Sequence, residues 1–122
     1  MKPPTNQLDF PFTIENLMRF LVDGGSEQRN FTHYQIADWC LRMSNQFHDE
    51  DCEDFFDHGL SIAADVECQW DLYLANTYSL HELKDLDPDL VSIPLEWFVQ
   101  WRVELTKTAN KPCEATGDNV SR

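Results

Sequence analysis

A threonine at position 32 and a glutamine three residues later open the most constrained stretch of this chain. At that spacing the hydroxyl accepts from a backbone amide in the first helical turn, while the side-chain amide reaches back to the cap residue. Two orphan donors are satisfied together. Ile36, Trp39, Cys40, Met43 and Phe47 then stand at i, i+3, i+4, i+7 and i+11, a single apolar stripe. A strand would scatter those side chains over both of its faces. The segment is therefore expected to be a helix, and one with a core to pack on.

Other segments follow the same pattern. Pro11 sets a turn, Thr13 can cap a helix, and Ile14, Leu17, Met18, Leu21 and Val22 recur at helical spacing. Gly24 and Gly25 are expected to end that helix in a left-handed cap. Beyond a run of acids, Phe55, Phe56 and Leu60 are expected to face inward, with Gly59 weakening or breaking the helix there. Ser79 and Glu82 form a second capping box, and Asp85-Leu86-Asp87-Pro88-Asp89 reads as loop. Pro94 and Glu96 suit the first turn of a final helix reaching about Thr106.

Two runs compete with this reading. Val66, Cys68, Trp70, Leu72 and Leu74 alternate with other residues, and so do Trp97, Val99, Trp101, Val103 and Leu105. The alternative is thus an α+β domain with residues 66–74 and 97–105 as strands. The chain has four glycines, however, and no Asn-Gly or Asp-Gly turn separates the two runs. A mainly α, single-domain bundle of four to five helices is the preferred expectation. Its bounds are an N-terminal arm over 1–11, a globular domain over 12–106 and a flexible polar tail over 107–122. At 122 residues, 42% of them hydrophobic, with 4 Trp and 8 Phe, such a domain can bury a core without staples.

The charge is lopsided. Nine basic residues face 22 acidic ones, a net charge of −13, and no Lys or Arg falls between Arg42 and Lys84. That field attracts cations and basic proteins. It repels phosphate backbones and anionic lipid surfaces, so neither direct nucleic-acid binding nor membrane association is expected. No apolar run approaches the ~20 residues of a membrane span. The start of the chain lacks the apolar stretch of a secretion signal. Cys40, Cys52, Cys68 and Cys113 show neither a CxxC pair nor framework spacing. A cytoplasmic protein without disulfides is expected, with Cys40 and Cys68 as small buried apolar residues and Cys113 as a free thiol in the tail.

Chemistry is harder to find. The nucleophile elbow, the HExxH zinc motif, the P-loop and the glycine-rich dinucleotide turn are all missing from the sequence. Catalysis is not expected. His48, Cys52 and His58 lack a fourth soft ligand nearby and read as surface residues. Asp85, Asp87, Asp89 and Glu96 take positions 1, 3, 5 and 12 of a calcium loop, but Leu90 stands where that loop needs glycine. Asp49, Glu50, Asp51, Glu53, Asp54 and Asp57 crowd into a few turns. They suit a basic protein partner, or, in the alternative, Asp49, Asp51, Glu53 and Asp54 coordinate Ca2+. Trp97 and Trp101, at i and i+4, read as core, or as the lining of a groove between helices. The expected function is a non-catalytic acidic binding protein, a regulator or inhibitor that docks a basic partner. The alternative is a calcium-binding protein without a standard EF-hand, Ca2+ being the one cofactor the pattern suggests.

Overall fold

A computed structural model describes residues 6–47 and 53–110, the side chains of 108–110 excepted. The chain is mainly helical, a small single-domain bundle, with no strand among the described residues. The elements are α1 (Ile14–Gly24), α2 (His33–Phe47), α3 (Asp54–Thr77), α4 (Leu80–Asp85), a single 3-10 turn (Pro88–Leu90) and α5 (Leu95–Asn110). Helix α3 lies along α2 over the largest interface, while α5 packs on α1 and α3.

The caps form as the spacing dictates. Thr13 Oγ1 accepts from the Asn16 amide at 3.1 Å. Thr32 and Gln35 exchange their reciprocal bonds at 3.0 and 2.8 Å, and Ser79 and Glu82 do the same at 3.1 and 2.8 Å. Along α2, Ile36, Trp39, Cys40 and Met43 are fully buried, and Phe47 packs at the rim of the core. Phe20, which the periodic stripe of α1 did not include, is also fully buried, edge-on to Trp39 at 4.9 Å.

The two alternating runs are helical. Within the α3 run, Val66, Trp70 and Leu74, one turn apart, are buried, while Cys68 and Leu72 are exposed. On α5 the inner face is Phe98, Trp101 and Leu105, and Val99 and Val103 are exposed. Alternation arose because apolar residues sit on the outer faces too. Cys68 is thus not the buried residue expected, nor does Phe55, 38% exposed, face inward as Phe56 and Leu60 do.

The glycines act by closeness. Gly25 closes α1 with φ −85°, an ordinary right-handed conformation, so no left-handed cap is present. Gly24 is where α5 approaches: a Cβ there would stand 2.5 Å from Phe98 Cδ1. Gly59 does not break a helix. It lies buried inside α3, and the Ile14 side chain occupies the space its Cβ would need. Helix α5 continues to Asn110, beyond the expected end near Thr106, so positions 107–110 of the expected tail are helical. Residues 111–122, Cys113 included, lie outside the described residues.

The segment before α1 is strapped to the bundle. Trp39 Nε1–H donates to the Phe10 carbonyl at 3.0 Å, Arg42 to the Leu8 carbonyl at 2.9 Å, and Gln35 to the Asn6 carbonyl at 2.6 Å. Leu8 is buried and Phe10 meets Phe20 edge-on.

Candidate partner-binding face

Helix α3 carries five acids, Asp54, Asp57, Asp65, Glu67 and Asp71. Glu53 precedes its first residue, and Asp54 and Asp57 lie in its first turn, all three exposed. Carboxylates there are favoured by the helix dipole. Asp49, Glu50 and Asp51 lie outside the described residues. Further along, Asp65 and Gln69 point toward α5, while Glu67 and Asp71 lie on the flank shared with α2. Partial burial raises the Glu67 carboxyl above its ordinary range, and the Asp71 charge one turn away adds to this. Burial likewise raises Asp71. Asp71 joins Asp38 and Asp89 in surrounding Tyr34, whose phenol is pushed up first by burial and then by those charges. Tyr34 stacks on Trp70 with ring centroids 5.5 Å apart.

These charges go largely uncompensated. Among the described residues the ion pairs are Arg42–Asp38 at 2.9 Å and Lys107–Glu104 at 3.3 Å, and neither involves α3. A helix with five acids and no cation of its own presents negative charge along its length.

Where α3 faces α5 the surface opens into a cleft of about 300 Å³, lined by Asp65, Gln69, Trp97, Gln100 and Trp101. The Trp101 indole N–H donates to Asp65 Oδ2 at 2.7 Å. Trp101 is otherwise buried, 7% exposed, while Trp97 is half-buried and meets Tyr73 and Trp101 edge-on at 6.0 and 6.4 Å. The groove between helices is therefore present, with one carboxylate and two amides at its aromatic wall. Its Trp pair was legible at i, i+4. Asp65 and Gln69 repeat that spacing, but only the packing of α3 on α5 makes the two pairs face each other.

The calcium-loop residues are dispersed into separate roles. Asp85 ends α4, exposed. Asp87 caps the 3-10 turn, accepting from the Asp89 amide at 3.1 Å. Asp89 accepts from the Thr32 hydroxyl at 3.0 Å, and Glu96 lies exposed in the first turn of α5. Among the described residues, three or more His, Cys, Asp or Glu side chains nowhere converge to hold an ion. Nor is any described helix long and apolar enough to cross a membrane. His58 is engaged with the Glu104 carbonyl at 3.2 Å.

One residue with no sequence signal ties α1, α2 and the segment before α5 together. His33 is 1% exposed, its Nε2 2.8 Å from the Gly24 carbonyl and its Nδ1 2.9 Å from the Ile93 amide. Ile93 can only donate and Gly24 can only accept, so the ring is neutral with its proton on Nε2. Burial lowers its pKa from 6.5 to about 4, outweighing the Gly24 bond.

No family model matches the chain, no curated protein matches it, and no solved structure matches its fold.

Proposed function

We propose that the chain is a non-catalytic acidic binding protein of the cytoplasm, a regulator or inhibitor that docks a basic protein partner. The observation that carries this reading is the uncompensated charge of α3, from Asp54 and Asp57 through Asp65, Glu67 and Asp71. Glu67 and Asp71 are partly desolvated beside each other, an arrangement that costs stability in the isolated chain. A cationic partner relieves that cost on contact. The docking residues are those of the expected cluster, Asp49, Glu50, Asp51, Glu53, Asp54 and Asp57, together with Asp65, Glu67 and Asp71 of α3. Charge of this kind raises the encounter rate, and the buried aromatic contacts that follow set the lifetime.

Affinity capture at two salt concentrations tests the reading. The baits are the wild type and a variant carrying Asp54→Asn, Asp57→Asn, Glu67→Gln and Asp71→Asn. A basic protein recovered by the wild type at low salt, and lost with the variant, is the expected result. Partners that are acidic, or that the variant retains in full, sink the proposal. Calcium is the alternative ligand of the same acids. A melting temperature that rises with Ca2+ in the wild type and not in the variant would replace the protein partner by the ion.

A further inference from the structure

We infer that the cleft between α3 and α5 is an anchor site for an arginine side chain of the basic partner, held by Trp97, Trp101, Asp65 and the amides of Gln69 and Gln100. The inference rests on the proposed docking function and names where that docking is anchored. An occupant of this cleft has to satisfy three features together. The aromatic wall favours a flat group or a cation, and a tryptophan face attracts cations more strongly than other rings do. Asp65, which lines the cleft, gives one oxygen to the Trp101 indole at 2.7 Å and makes no ion pair among the described residues, which leaves carboxylate capacity for a further donor. Gln69 and Gln100 add two amide oxygens at the rim. A guanidinium answers all three. It is planar and stacks on an indole, its charge matches the carboxylate, and its five N–H groups can serve a carboxylate and flanking amides together. An ammonium meets the charge but lacks the flat face and the fork. The cleft, at about 300 Å³, is at the small end of ligand sites and suits a single long side chain.

The indole N–H groups of the protein report directly on this site. The experiment follows the four tryptophan Nε1–H signals of the 15N-labelled full chain by NMR, assigned with single Trp→Phe variants. The probes, added in low-salt buffer, are short amidated peptides of alternating glycine with arginine, lysine or citrulline. The arginine peptide should shift the Trp97 and Trp101 signals and leave Trp39 unmoved, since the Trp39 indole is buried on the Phe10 carbonyl. Asp65→Asn keeps an acceptor for Trp101 while removing the charge, and should weaken binding about fivefold or more. Trp97→Leu, which retains bulk, should weaken it by a similar factor. The lysine peptide should bind more weakly than the arginine one, and the citrulline peptide should shift nothing. If the arginine peptide binds but moves only signals elsewhere on α3, the anchor site is wrong and the docking function stands. If citrulline shifts the same two indoles as strongly, the cleft reads shape and not charge, and the inference falls. If no cationic peptide binds even at low salt, the anchor site and the docking function fall together.

Discussion

Two regions of this bundle treat their polar residues differently. At the junction of α1, α2 and the segment before α5, described polar side chains have assigned work. Asp23 accepts from the backbone amides of Asn30 and Phe31 at 3.0 and 3.1 Å, and so folds the loop between α1 and α2. Arg29 reaches the Ser26 carbonyl at 3.0 Å and the Ser92 hydroxyl at 2.9 Å. His33 bridges Gly24 and Ile93 beneath them, its ring 4.5 Å from that of Phe98. Along α3, Asp65 is taken up by the Trp101 indole, but Glu67 and Asp71 stand one turn apart and both are held above their ordinary pKa. A polar residue that the fold uses is accounted for by the fold. One that the fold tolerates at a cost has its account elsewhere, and for α3 the account we propose is a partner.

The sharpest way to break this contrast is to remove the bridging imidazole. His33→Leu should destabilise the protein by about 3–5 kcal/mol, because it leaves a buried donor and a buried acceptor unmet. A denaturant midpoint close to that of the wild type would show that the junction does not depend on its polar contacts.

Acid should affect the two regions with opposite sign. The folded-state pKa of His33, about 4, lies below the unfolded value of 6.5, so protons bind preferentially to the unfolded chain. The stabilisation is complete above pH 6.5 and is lost as pH falls from 6.5 toward 4, to a total of about 3 kcal/mol. Glu67 and Asp71 are raised instead, so the folded state takes up their protons more readily and the strain of α3 eases on acidification. Unfolding curves from pH 7 to 4 on wild type and His33→Leu separate the two. The wild type should lose stability over that window relative to the variant. Parallel curves would remove His33 from the account.

A smaller loss is expected from Asp23→Ala, about 2 kcal/mol, as charged acceptors of backbone amides are worth that much. Faster amide exchange at Asn30 and Phe31, with α3 unaffected, would locate it.

The smallest effect has the reverse sign. Glu67→Gln with Asp71→Asn should raise stability at pH 7 by about 0.2–0.5 kcal/mol, the cost of like charges one turn apart. The gain should vanish as pH falls and the wild-type carboxyls protonate. A loss of stability at pH 7 would mean that these acids serve the fold.

How far these regions were legible in sequence differs in the same way. The capping boxes at Thr32 and Ser79 and the stripe through Trp39 are local patterns, and local patterns survive folding. The alternating runs misled because helix faces here are broad: Cys68, Leu72, Val99 and Val103 are apolar yet outward, so spacing alone suited a strand. Gly59 read as a breaker because its reason, the Ile14 side chain packed against it, is 45 positions away in the chain. His33 was invisible for the same cause, since its partner Ile93 lies 60 residues on. The acidic composition was plain from the start, but the cleft needed α3 and α5 to be laid side by side.

The strap formed by residues 6–10 has a mechanical consequence. Its carbonyls take hydrogen bonds from Gln35, Trp39 and Arg42, all on α2, and it has no regular structure of its own. Tension applied at the amino end therefore loads these side-chain bonds before it reaches any helical turn. They resist as a row that yields one after another, as a zip does, and not as a sheet ladder that shears at once. Asn6 gives way first, then Leu8, then Phe10, and only at the last step does water reach the Trp39 indole. A pull on this end should thus register as a short, soft extension ahead of the main rupture, reporting how firmly the bundle holds its own beginning.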